Sequence, residues 1–243
     1  MCGIFGYVGH KKAAEVCVEG LKKLEYRGYD SAGFAGIQGQ QLVLHKALGK
    51  VAFLEEVLHE EGLDSSIGIA HTRWATHGKP SQKNAHPHTD EQKTLAVVHN
   101  GIVENYTVLR DHLIQEFGVS FISETDTEVI AQSLGKSYHG DLFAAALETL
   151  QKLEGSFAIG VIHQEHPEKM IAIADQCPLI VAFSSTTKES FLCSDQMGLP
   201  DQELEIVYLT NKEIALLEKN KKPRFFDRMG TSIDKKDKAT IFL

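Results

Sequence analysis

Cys2, in the run Met1-Cys2-Gly3-Ile4-Phe5-Gly6, has a chemical option that an internal cysteine lacks. Once Met1 is removed, the free α-amine of residue 2 lies a few bonds from its own sulfur, so nucleophile and base share one residue. An ordinary α-amine has a pKa of about 7.7–8.0 and an ordinary thiol about 8.5, so near neutrality such an amine can take a thiol proton directly or through a water. If Met1 persists, it holds that nitrogen as an amide and the domain is expected to be inactive. Acyl transfer through a thioester also needs donors for the oxyanion of the tetrahedral intermediate, and Asn100-Gly101 offers a side-chain amide beside an unhindered backbone N–H. Losing one such donor costs about 2.7–4 kcal/mol of barrier. Arg73 can grip an α-carboxylate with two parallel hydrogen bonds, and Asp126 can pair with an α-ammonium. Trp74, Thr76, His77 and Gly78 follow Arg73 on a polar stretch where a flap can close over a small substrate and expel water.

Each residue also has a structural reading. Cys2 is a small apolar residue at the start of a strand, Asn100-Gly101 a turn, and Asp126 a complement to the dipole of a helix N-terminus. Trp74 can simply be packed, and Arg73 can be a surface charge. His71, His77, His86, His88 and His99 crowd one third of the chain, yet their spacings match no zinc signature. A phosphate loop, a GxSxG elbow and HExxH are likewise missing from the sequence, and neither metal nor cofactor is expected.

The elements that would position these residues are legible from periodicity. An apolar strand opens the chain through Val8, and Ala13, Val16, Cys17, Leu21 and Leu24 recur at helical spacing over 11–25, with Arg27-Gly28-Tyr29-Asp30-Ser31 breaking the helix. Strands are expected at 33–37, 41–47, 67–74 and 95–99, the last ending at Asn100-Gly101, with a helix near 52–59 and a long loop over 75–90. Helices follow at 105–117, at 125–138 behind a Thr125/Glu128 capping box, and at 142–153. Strands then return at 157–163, 170–174, 179–183, 205–209 and 213–217. Strands at both ends with helices between them predict an α+β domain of mainly antiparallel sheets.

A net charge of −8 and the lack of a basic stripe argue against nucleic acid as a partner; the longest basic cluster, Lys219–Arg224, is short. Four cysteines without a CxxC pair suit a reducing compartment rather than a disulfide scaffold. No apolar run is long enough to span a bilayer and the start is not a signal peptide, so a cytoplasmic protein with no membrane partner is expected.

Taken together, Cys2-Gly3-Ile4-Phe5-Gly6, Arg27-Gly28-Tyr29-Asp30-Ser31-Ala32-Gly33, His71-Thr72-Arg73-Trp74-Ala75-Thr76-His77-Gly78, His99-Asn100-Gly101-Ile102 and Ser123-Glu124-Thr125-Asp126-Thr127-Glu128 resemble a known family. It is that of the class II, N-terminal-nucleophile amidotransferases, in the glutamine–fructose-6-phosphate amidotransferase branch (glucosamine-6-phosphate synthase). The resemblance is densest up to about Ser133. It implies a four-layer αββα N-terminal-nucleophile hydrolase fold with two stacked antiparallel sheets, hydrolysing L-glutamine through a glutamyl thioester. Cys2 would be the nucleophile and Asn100 with Gly101 the oxyanion hole. Arg73, Thr76 and His77 would hold the α-carboxylate, Asp126 and the Gly101 backbone the α-amine, Trp74 would gate the site, and Arg27 would support it. The resemblance further implies that 1–218 form the glutaminase domain. Residues 219–243 would then be a linker toward a C-terminal isomerase half that binds fructose 6-phosphate, in a homo-oligomeric full-length enzyme. A glutamine-sensing domain without catalysis and a different N-terminal-nucleophile amidase are the alternatives.

Overall fold

The computed structural model describes residues 2–74, 80–210 and 212–235, and the backbone of 239–242. In chain order the first half runs β1 (Gly3–Val8), α1 (Ala13–Leu24), β2 (Ser31–Gln38), β3 (Gln41–Leu48), α2 (Val51–Glu61), β4 (Ile67–Arg73), β5 (His88–Thr89) and β6 (Leu95–Val103). The second half holds α3 (Tyr106–Phe117), α4 (Thr127–Ser137), α5 (Leu142–Lys152), β7 (Gly155–His163), β8 (Lys169–Asp175), β9 (Leu179–Phe183) and β10 (Ser190–Cys193). It closes with β11 (Glu203–Leu209), β12 (Glu213–Glu218), β13 (Arg224–Phe226), β14 (Ser232–Ile233) and β15 (Ala239–Phe242).

The strands form an 8-stranded sheet in the order β15-β11-β9-β10-β1-β4-β2-β3 and a 7-stranded sheet in the order β14-β13-β12-β8-β7-β6-β5. Every named strand pairing is antiparallel. Side-chain alternation along the strands assigns the layers. Ile4 and Val8 of β1 and Ile67 and Ile69 of β4 meet Ala96 and Val98 of β6 and Ala158 and Ile162 of β7 in one apolar cluster between the sheets. The alternate residues Phe5 and Tyr7 point the other way, into Cys17, Leu21 and Leu24 of α1 and Leu54 of α2. On the far side, Val97, Ile159 and Ile173 pack on Ile130 and Leu134 of α4 and Ala146 and Leu150 of α5. Helices, sheet, sheet and helices therefore stack as αββα, the expected architecture. Strands buried on both faces explain runs such as Leu179-Ile-Val-Ala-Phe183, apolar without alternation.

Three expectations are corrected. The strand of Asn100 does not stop at the Asn-Gly pair: β6 continues to Val103, with Asn100 opposite Ala158 and Gly101 opposite Phe157. Residues 75–90 are not loop throughout, because β5 pairs with β6 through His88 and Thr89; 75–79 lie outside the described residues. The four-residue β10 was not anticipated, being too short to show a period, yet it is the neighbour of β1. Within 219–243, β13 and β14 extend the 7-stranded sheet beyond β12, and β15 edges β11. Among the described residues, no helix is long and apolar enough to cross a membrane.

Candidate active site

Alternation along three strands converges on one mouth between the sheets. Cys2 shares the parity of Ile4 and Val8, Arg73 that of Ile67 and Ile69, and Asn100 that of Ala96 and Val98, so all three lie on the inter-sheet side. Register completes the convergence: Gly3 faces Thr72, which places Cys2 across from Arg73 at the open end of β1 and β4. Asn100 arrives from the opposite sheet and donates from Nδ2 to the Cys2 carbonyl at 3.1 Å. The Trp74 N–H donates to Cys2 Sγ at 3.4 Å, while the thiol faces the Trp74 carbonyl at 3.8 Å. Residues 74 and 100, remote in sequence, are thus tied to Cys2, one at its sulfur and the other at its carbonyl.

A single cleft is lined by Cys2, Arg73, Trp74, Asn100, Gly101 and Asp126, with Ile102 and Tyr106 on its outer side. Arg73 is 5 % exposed. Burial pulls its pKa down from the ordinary arginine value, opposed by Cys2, Asp30 and Asp126, and the guanidinium stays charged. Trp74 is 46 % exposed and stands edge-on against Tyr29, with ring centroids 5.9 Å apart.

Asp126 sits at the N-cap position of α4, but its carboxylate caps no α4 amide. Oδ2 instead accepts from the Val103 N–H at 2.9 Å, crossing to the end of β6, while Oδ1 lies 3.9 Å from His99 Nδ1 and the residue lines the cleft. The predicted Thr125/Glu128 capping box does not form. Glu128 reaches further back, accepting from the N–H groups of Ile122 at 2.8 Å and Ser123 at 2.6 Å, while the Thr125 hydroxyl meets His88 Nε2 at 3.0 Å. The physical reason is frame: α4 starts at Thr127 with Asp126 as its N-cap, one residue later than the box requires, and Glu128 is satisfied by two amides of the turn before it.

Gly101 carries a positive φ of 119°, and a Cβ there would lie 2.1 Å from the Ser156 carbonyl oxygen. Both conformation and space demand glycine where β6 swings its backbone beside the thiol. Arg27 is not in the cleft lining. Its guanidinium is held at 2.8 Å by Asp195, which also accepts from the Tyr26 hydroxyl at 2.9 Å, bracing the short 3-10 turn Glu25–Arg27 that leads to Tyr29. Thr76 and His77 lie outside the described residues.

Behind Asn100 is a histidine cluster to which the sequence assigned no role. His71, His86, His88 and His99 are all buried, and burial lowers the pKa of each ring below the ordinary value, His71 to about 3. Among the described residues, no group of three or more His, Cys, Asp or Glu side chains is placed to hold a metal ion. The cluster is neutral, hydrogen-bonded packing. Its sequence signal was parity: His71 continues the inward set Ile67, Ile69 and therefore had to enter the sheet interface.

Comparison with known proteins agrees with this geometry. A family model described as "Glutamine amidotransferase domain" matches residues 71–199, just over half of the chain. A glutamine–fructose-6-phosphate aminotransferase [isomerizing] of Clostridium tetani (strain Massachusetts / E88) is 48 % identical over 233 residues, 96 % of this chain and 38 % of that protein. One from Aquifex aeolicus (strain VF5) is 48 % identical over 215 residues, 88 % of this chain and 36 % of the relative. The chain thus spans under two fifths of the length of these curated relatives. Among solved structures, glutamine phosphoribosylpyrophosphate amidotransferase from B. subtilis complexed with ADP and GMP superposes with a TM-score of 0.77 at 24 % identity, covering 93 % of this chain and 49 % of that one; this likeness speaks to the fold. A structure described as the allosteric regulatory enzyme of purine biosynthesis gives a TM-score of 0.74 at 26 % identity, covering 89 % of this chain and 47 % of that one.

Proposed function

Since this chain belongs to the glutamine amidotransferase domain family, we propose that it hydrolyses L-glutamine to glutamate and ammonia through a thioester on Cys2. The carrying observation is the junction at Cys2, where Trp74 N–H meets the sulfur and Asn100 Nδ2 meets the residue's own carbonyl. With Met1 removed, the α-amine of Cys2 accepts the thiol proton and the sulfur attacks the side-chain amide carbon of glutamine. The C=O π pair moves onto oxygen, where Asn100 Nδ2 and the Gly101 N–H receive it. Collapse of the intermediate breaks the C–N bond, and the α-ammonium returns its proton to the departing ammonia. Water, deprotonated by the same amine, then attacks the thioester, releasing glutamate and the thiol. Arg73 grips the substrate α-carboxylate together with Thr76 and His77, Asp126 holds the α-ammonium, Trp74 covers the mouth, and Arg27 supports it from behind.

In the full-length protein this ammonia would pass to an isomerase half that converts fructose 6-phosphate to glucosamine 6-phosphate, a reading supported by relatives named glutamine–fructose-6-phosphate aminotransferase [isomerizing] and longer than this chain. Residues 1–218 are the glutaminase unit, and 219–243, which edge both sheets, lead toward that half in a homo-oligomer. Four free cysteines suit a reducing cytoplasm. Intact-mass measurement followed by a glutamine-to-glutamate assay, with Cys2→Ala as control, tests the reading. Met1 absent with Cys2-dependent turnover is the expected result; turnover by a folded Cys2→Ala protein, or by a mass-verified Met1-containing sample, overturns the mechanism.

A further inference from the structure

We infer that His71 is a positioning residue for the oxyanion hole: its Nε2–H locks the Asn100 side-chain amide with Oδ1 turned away from Cys2 and Nδ2 turned toward it. The inference rests on the glutaminase reading of the Cys2 cleft and deepens it.

The argument is one of donors and acceptors. The Cys2 carbonyl can only accept, so the Asn100 atom 3.1 Å from it is the NH₂ group. That fixes Oδ1 on the other side, where it lies 2.9 Å from His71 Nε2. The His99 carbonyl, also only an acceptor, lies 3.1 Å from the same nitrogen. One nitrogen between two acceptors must carry the proton, so His71 is the Nε2–H tautomer. Its Nδ1 is buried without a hydrogen-bond partner among the described residues. The two oxygen acceptors at Nε2 exclude the other tautomer, and an imidazolium would add a buried, charged N–H at Nδ1 with nothing to receive it. His86 Nδ1 lies 3.1 Å from His71 Nε2, and its ring packs edge-on with centroids 4.2 Å apart.

The consequence falls on the transition state. One N–H of Asn100 Nδ2 is occupied by the Cys2 carbonyl, and the second is left for the developing oxyanion. A flipped amide would turn Oδ1, a negative dipole end, toward both. The His71 hydrogen bond opposes that flip and polarises the amide so that Nδ2 is a better donor. A gain made only as the oxyanion forms appears in kcat rather than in KM.

The experiment combines kinetics with nitrogen NMR. His71→Leu removes the donor, and His71→Gln keeps an N–H at the same reach. We expect His71→Leu to lower kcat for glutamine hydrolysis by roughly 10- to 100-fold with KM changed less than about 2-fold. His71→Gln should recover most of the loss. In an Asn100→Ala background, His71→Leu should cost little more, since the group it orients is gone. Equal losses with and without Asn100, or a change confined to KM, overturn the inference. The ¹⁵N shifts of the His71 ring in the wild-type chain decide the hydrogen bond even if His71→Leu does not fold: Nε2–H is expected, and Nδ1–H overturns it. A wild-type chain lacking Cys2-dependent turnover removes the functional reading, whereas a wrong tautomer with normal turnover removes this inference alone.

Discussion

At the scale of single residues, the chemistry separates into groups that react and groups that hold. In the proposed mechanism Cys2 and Asn100 belong to the first set, Arg73 and Asp126 to the second. Arg73 is buried at the end of β4, and a carboxylate grip is present in the ground and transition states alike. Replacing it with alanine removes charge-assisted hydrogen bonds worth about 1.5–3 kcal/mol, so KM for glutamine should rise roughly 10- to 100-fold while kcat moves much less. Steady-state kinetics check this, and an unchanged KM would place the substrate carboxylate elsewhere. These residues could be picked out from the sequence as the set that thioester chemistry would need, a thiol, an oxyanion donor and a carboxylate clamp, and the structure brings them to one cleft. The role of His71 was not legible, because the partner that defines it, Asn100 Oδ1, is brought to it by the facing sheet.

At the scale of elements, strand parity carried most of the information and local turn chemistry carried little. Alternation along β1, β4 and β6 was enough to place Cys2, Arg73 and Asn100 on one side. The Asn-Gly pair, by contrast, reads locally as a turn, and only the pairing with β7 shows it continuing a strand. The capping box failed for a related reason: α4 begins one residue later than the box requires, and Glu128 binds two amides of a turn that Asn84 and His88 also hold. Where the strands approach closely, glycine becomes a requirement. Gly101→Ala should be destabilised by about 1–3 kcal/mol through its positive φ and the contact with Ser156, and should lose most glutaminase turnover because the backbone donor shifts. A second position tests packing without touching the substrate. A Cβ on Gly33 would lie 2.1 Å from the His86 carbonyl oxygen, so Gly33→Ala should push His86 from β2 and lower stability by about 1–3 kcal/mol. Urea unfolding reads both, and wild-type midpoints would show that the backbone yields more easily than these contacts imply.

At the scale of the whole molecule, the fold buries a block of neutral histidines between and behind its sheets, and this couples global stability to pH. Burial holds the rings of His71, His86, His88 and His99 below the value of about 6.5 that they regain on unfolding, with His163 and His166 shifted the same way. Below that value the unfolded chain binds protons that the folded chain refuses. The stability these groups allow is therefore complete above about pH 6.5 and is lost as pH falls toward their folded-state values. Each ring that stays neutral contributes a slope of about 1.4 kcal/mol per pH unit, and several together are large against a total of about 5–15 kcal/mol. Carboxylates held low in the folded state, among them Glu148, Glu189, Asp195 and Glu218, begin to withdraw their contributions only as pH falls into the ordinary carboxylate range, and lose them as it passes below. The window from about pH 6.5 to 4.5 thus reports the histidines. Urea midpoints at pH 7.5, 6.0 and 5.0 should fall steeply after the first step, with acid unfolding beginning well above the carboxylate range. A flat profile across those three values would mean that the rings gain their protons within the folded state, and that the block is wetter and looser than its burial implies.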